Sequence, residues 1–206
     1  MIQQGTYEWL EQRRGKFTAS AISKLMGKRG LGQTGETYVM EKVTESLGVP
    51  IPEVSSYAMQ HGTEWEPMAR QYYEIAFHCE VEQQGFIVAP WNDQAGCSPD
   101  GFVKNSTKMI EIKCPYNPVI HTKHLMIKSA ADLLNQHPEY YWQIQMNLAV
   151  TGKSICDFVS FHPEFTGWKR MISIEIKPNE ADIILLKQRI NEAVELKAKI
   201  LKQIEL

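Results

Sequence analysis

No apolar run in this 206-residue chain approaches the roughly 20 residues that a membrane span requires. The stretch from Met1 to Glu11 has no apolar signal core, so an intracellular, cytoplasmic protein without a membrane anchor is expected. The four cysteines, Cys79, Cys97, Cys114 and Cys156, never fall in a C-x-x-C pair, which argues against a zinc or disulfide framework. Internal repeats, low-complexity tracts and Pro/Gly/Ser-rich linkers are all absent. A single domain over 1–206 is therefore expected, and this length buries a substantial core.

The net charge is only −2, which excludes a bulk polycation. Its distribution says more. From Met1 to Gly30, six cations (Arg13, Arg14, Lys16, Lys24, Lys28, Arg29) face only Glu8 and Glu11. From Leu31 to Asp100, two basic residues face eleven acidic ones. The first stretch suits a polyanion, because phosphate contacts need Lys and Arg. Two solvated faces of opposite sign account for the same pattern equally well.

Spacing predicts a short helix over 18–27, with Thr18 as N-cap, Ile22, Leu25 and Met26 on its apolar face, and Gly27 left-handed at its end. A second helix is predicted from about Glu36 to Leu47. Thr63-Glu64-Trp65-Glu66 has capping-box spacing, with Pro67 in the first turn and Trp65, Met68, Ala69 and Tyr72 as the buried stripe. Strand-like sequence follows at 85–88, then at 101–103 and 109–112 around a polar turn, which suggests a hairpin. Helical sequence resumes after Pro115, and Pro138 opens a helix that ends at Gly152. Strands are expected at 155–161 and 168–177, and a long helix capped by Asn179. The order implies a mixed α/β (α+β) fold, with a central mixed sheet of about five strands flanked by helices.

The chemistry concentrates in Ser98-Pro99-Asp100-Gly101 and Ile110-Glu111-Ile112-Lys113. On a strand, Glu111 and Lys113 share one face while Ile110 and Ile112 point to the other. Hairpin pairing brings the Asp100 carboxylate beside Glu111. Two carboxylates on adjacent strands make a hard oxygen site suited to Mg²⁺, with Mn²⁺ as a substitute. A metal there can polarise a phosphodiester and acidify water, and Lys113 can stabilise charge on the phosphate. Glu-x-Lys alone carries little. Glu175-Ile176-Lys177 repeats it with no Pro-Asp before it and reads as a solvated strand face. Glu66 reads either as a third carboxylate or as the capping partner of Thr63. Gln143 and Tyr140, taken alone, are ordinary helix-surface residues.

These residues, together with Trp9 through Arg13-Arg14-Gly15-Lys16-Phe17-Thr18-Ala19-Ser20, His61 through Glu66, and Tyr140 through Gln145, resemble the PD-(D/E)xK nuclease superfamily. Within it they resemble the phage lambda exonuclease-like, YqaJ-type viral recombinase family, over nearly the whole chain. The resemblance implies a restriction-endonuclease-like core and a Mg²⁺-dependent 5′→3′ exonuclease acting on double-stranded DNA ends. It makes Asp100, Glu111, Glu66 and the Ile112 carbonyl metal ligands, and Lys113 the catalytic lysine. Gln143 becomes the helix residue over the site, and Arg13 and Ser20 a 5′-phosphate pocket. It further implies a homo-oligomer, as a ring-shaped trimer, with a single-strand annealing protein as partner. The setting would be phage or prophage recombination in a bacterial host. Rival readings are a structure- or sequence-specific endonuclease on the same fold, and a non-catalytic DNA-binding protein on a decayed one.

Overall fold

The computed structural model describes residues 4–50 and 56–205. Helix α1 (Tyr7–Arg13) is followed by strand β1 (Phe17–Thr18), a 3₁₀ segment (Ala19–Leu25) and α2 (Gly32–Ser46). Then come α3 (Tyr57–Phe77), β2 (Val81–Glu82), β3 (Ile87–Ala89), β4 (Asn92–Cys97), β5 (Gly101–Val103) and β6 (Lys108–Lys113). Helices α4 (Pro118–His124), α5 (Ala130–Gln136) and α6 (Pro138–Thr151) lead to β7 (Ile155–Phe161), β8 (Met171–Ile176) and α7 (Glu180–Ile204).

The expected mixed sheet of five strands is present, in the order β2-β5-β6-β7-β8. Only the β6–β7 pairing is parallel; the other three are antiparallel. The alternation of β6 sorts its side chains between the two faces of this sheet. Ile110 and Ile112 join Ala69 and Tyr73 of α3 on one face. Met109 joins Tyr141, Ile144 and Leu148 of α6 on the other. Glu111 and Lys113 share that second face by parity, so both project toward α6. A second sheet, β1-β4-β3, packs with the 3₁₀ segment, α2, α6 and α7 around Phe17, Ile22, Tyr38 and Ile190. Helix α6 thus lies between two cores, which explains why it is buried almost all round.

Several elements depart from expectation. The Thr63–Glu66 capping box is not one: α3 begins two turns earlier, where the Ser56 hydroxyl accepts from the Met59 N–H at 3.2 Å. Thr63 donates its hydroxyl to the Met59 carbonyl, and Pro67 sits inside the helix. The buried stripe is Ala69, Arg70 and Tyr73, while Met68 and Tyr72 are exposed. The segment after Thr18 is a 3₁₀ turn without a side-chain cap. Gly27 is not left-handed; it is needed because a Cβ there would run into the Gly30 carbonyl oxygen. The strand expected from 168 starts at Met171, after a short 3₁₀ turn over Gly167–Arg170.

Candidate active site

Asp100 precedes β5, and its Oδ2 accepts from the Ile112 N–H at 2.6 Å. That backbone donor belongs to β6, so a side chain replaces a ladder partner where β5 is too short to supply one. Gly101 lets β2 pack closely against β5 beside this turn: a Cβ on it would collide with Val81 Cγ1. The register Gly101↔Ile110 then sets Asp100 beside Glu111, as hairpin pairing requires.

Glu111 is buried, and donors surround both of its oxygens. Its Oε1 accepts from Lys113 Nζ at 2.6 Å and from Gln143 Nε2 at 2.7 Å. Its Oε2 accepts from Asn147 Nδ2 at 2.8 Å. Lys113 also donates to Gln143 Oε1 at 3.1 Å and lies over the Tyr140 ring at 5.1 Å. Glu66 enters from α3 and pairs with Arg70 one turn along the same helix.

Electrostatics match this crowding. Burial first, and then the Asp100 charge, push Glu111 up to about 8 and Glu66 up to about 7. Burial raises Asp100 too, against the opposing pull of Lys113 and the Ile112 N–H. Burial works against charge on Lys113, but the Glu111 and Asp100 carboxylates outweigh it and hold the ammonium above its ordinary range. The cluster has more buried acid than cation, which is the condition a divalent ion relieves. The donor set, all oxygen, fits a hard cation. Its arrangement is not closed: each carboxylate leans on a backbone N–H, an amide or a cation. Among the described residues no three His, Cys, Asp or Glu side chains are set to hold a metal as they stand.

Arg13 and Ser20 line the same cavity, of about 530 Å³, as Glu66, Asp100, Glu111, Lys113 and Gln143. The Arg13 guanidinium stacks on Trp9 at 3.8 Å and donates to Ser20 Oγ at 3.4 Å. Trp9 Nε1 in turn donates to Ser98 Oγ at 3.0 Å, two residues before Asp100. The second Glu-x-Lys copy is solvated, with Lys177 exposed and 3.7 Å from Glu175.

Sequence reasoning missed Asn147 and Arg70 as parts of this site, and quoted Trp9 and Ser98 only within motifs, without a role. For Asn147 a signal existed: it is a polar residue one turn from Gln143, on the same face of the same helix. For Arg70 there was none, because a helix cation one turn from an acid is ordinary surface chemistry.

Comparison with known proteins follows the same outline. The solved structure of LHK-Exo in complex with dAMP is 31% identical, with a TM-score of 0.85, covering 97% of this chain and 96% of that one. The alkaline exonuclease LHK-Exo from Laribacter hongkongensis matches at 30% identity and the same TM-score, 0.85, with the same coverage. A phage-related exonuclease from Haemophilus somnus 129PT shares the fold, at 14% identity and a TM-score of 0.77 over 92% of this chain and 96% of that one. An uncharacterized protein, R354, of Acanthamoeba polyphaga mimivirus is 25% identical over 83% of this chain. The chain spans 31% of that relative's length. Residues 8–154 match the YqaJ-like viral recombinase domain, and the chain belongs to that family.

Proposed function

We propose that this chain is a divalent-metal-dependent deoxyribonuclease that degrades one strand of linear duplex DNA from its 5′ ends. The observation that carries the reading is a shared cavity: an acid–lysine cluster and an arginine–serine pair line one open cleft. A terminal phosphate held by the second presents a neighbouring phosphodiester to the first. Likeness to exonucleases over nearly the full chain supports the same class.

Asp100, Glu111, Glu66 and the Ile112 carbonyl would hold Mg²⁺, or Mn²⁺ in its place. Bound there, such an ion polarises the phosphodiester and lowers the pKa of a water. The rest is work for the chain's own residues. Lys113, kept charged by Glu111 and Asp100, donates to a phosphate oxygen as negative charge builds in the transition state. Gln143 contacts both Lys113 and Glu111 and keeps the two in register. The planar Arg13 fork grips a doubly charged terminal phosphate bidentately, with Trp9 supporting its face. The resemblance extends the proposal to a single domain that acts as a homo-oligomer, a ring-shaped trimer, with an annealing protein. The setting is a bacterial cytoplasm. No helix among the described residues is long and apolar enough to cross a membrane.

The test uses linear duplexes labelled at one end, with or without a 5′-phosphate, and a closed circle, each with Mg²⁺ and with chelator. Loss of label from the 5′-labelled strand, Mg²⁺ dependence and an intact circle are expected. Rapid nicking of the circle would mean an endonuclease, and binding without cleavage a decayed enzyme.

A further inference from the structure

The turn that follows Arg13 is held from both sides by side chains of distant elements. Gly15 is buried and left-handed, with φ of +70°. Its N–H donates to Glu45 Oε2 of α2 at 2.7 Å. Its carbonyl accepts from Lys197 Nζ of α7 at 2.7 Å, across 182 positions of sequence. Lys197 donates a second bond to Gln94 Oε1 of β4 at 2.9 Å. The space is tight: a Cβ on Gly15 would lie 2.6 Å from Ser46 Oγ and 3.5 Å from Lys197 Nζ.

Lys197 is 6% exposed, so an ammonium has been withdrawn from water to reach one peptide carbonyl and one amide oxygen. Burying a charge is costly, and a methionine would fill similar volume without that cost. Core packing alone therefore does not account for the lysine. What it does hold is the peptide two residues beyond Arg13, whose guanidinium must lie on Trp9 and against Ser20 to meet a phosphate. Fork recognition tolerates only small misplacement.

We infer that Lys197 is a positioning residue for end recognition: together with Glu45 it clamps the Gly15 turn and so pre-sets the Arg13 fork for a terminal phosphate. The inference rests on Arg13 being the ligand of that phosphate, as proposed above.

The experiment measures kcat and KM on matched duplexes bearing 5′-phosphate or 5′-hydroxyl ends, with melting temperature alongside. Wild type, Arg13→Ala, Lys197→Met, Lys197→Arg and Glu45→Leu are compared. Lys197→Met should melt close to wild type yet lose about tenfold in phosphate preference, through KM on phosphorylated ends. Hydroxyl ends should be cut as before. Lys197→Arg, which keeps a donor, should recover most of the preference. Glu45→Leu removes the opposite jaw and should reproduce the loss, which covers the case of a poorly folded Lys197→Met. If Arg13→Ala abolishes the preference while Lys197→Met and Glu45→Leu keep it, the clamp is refuted and the phosphate reading survives. If Arg13→Ala itself keeps the preference, both fall together. Equal losses on the two kinds of end would reduce Lys197 to a structural residue and also overturn the inference.

Discussion

Lys113 and Lys177 stand in the same three-residue pattern and differ in everything around them. Lys113 bonds to buried Glu111 and to Gln143, whereas Lys177 is exposed beside an exposed Glu175. We expect Lys113→Ala to lose on the order of 10²–10³ or more in rate with DNA binding largely kept, the scale for removing one electrostatic stabiliser. Lys177→Ala should match wild type, and the reverse result would place the chemistry at Glu175-Ile176-Lys177 instead. Glu111 carries a second expectation. Its folded pKa of about 8 lies well above the ordinary glutamate value near 4.5. Between those two values the folded state holds a proton that the unfolded chain has released. Stability of the metal-free protein is therefore greatest below about pH 4.5, as far as this group is concerned, and is lost as pH rises through about 8. Glu66, raised to about 7, adds in the same direction over a narrower window. Melting temperatures in chelator, recorded from pH 5 to 9 for wild type and Glu111→Gln, check this. A wild-type curve no steeper than that of Glu111→Gln would refute it.

At the level of elements, the legible parts were those whose signal is local. The β5–β6 hairpin, Pro138 and Gly152 at the ends of α6, and Asn179 capping α7 all follow from side-chain alternation or cap chemistry, and all were found. The 3-stranded sheet was not anticipated as such, because β4 reads NDQAGC and has no β-branched or aromatic residue. Tertiary packing makes it a strand: Ala95, Gly96 and Cys97 are buried between β1 and β3. The start of α3 was missed because Thr63 and Glu66 have capping spacing but spend it otherwise, Thr63 on a carbonyl and Glu66 on Arg70. Of the site, Asp100, Glu111 and Lys113 could be read from strand geometry. Arg13, Ser20 and Gln143 depended on resemblance, because only the fold brings α1, the 3₁₀ segment and α6 to one cavity. The short β2–β5 contact yields a prediction of its own. Gly101→Ala should destabilise by about 1–3 kcal/mol through overpacking against Val81, and should cut activity by shifting Asp100. Adding Val81→Ala should restore much of both, since the two sites touch. Denaturant titration of the four proteins in that cycle measures it, and simple additivity would contradict the steric account.

On the proposed function, charge across the whole molecule would supply a diffuse attraction and the cavity would supply the register. Two of the cations near the N-terminus are neutralised locally, Arg14 by Glu11 and Lys24 by Glu41. Glu41 lies outside the counted stretch, so a general basic patch is weaker than the sequence count implies, and on the proposed function discrimination would fall to groups that face the cavity. That space, about 530 Å³, is on the scale that encloses one small ligand. Arg13 with Ser20 and Lys113 with Glu111 both line it. A terminal phosphate on the first pair and the next phosphodiester on the second would bracket a single nucleotide. The product expected from linear duplex is therefore the 5′-mononucleotide from the first turnover onward, with no build-up of short oligomers. Removing the anchor should blur that register. Arg13→Ala should cut more slowly and release di- and trinucleotides beside the monomer, because nothing then stops the strand end at a fixed place. Arg14→Ala, which leaves the anchor and removes only a paired cation, should keep the single product and most of the rate. Chromatography of products from a uniformly labelled duplex at early times distinguishes these cases. A wild-type ladder of mixed lengths would show that the cavity does not measure one nucleotide. An unchanged product from Arg13→Ala would show that something other than this arginine stops the strand.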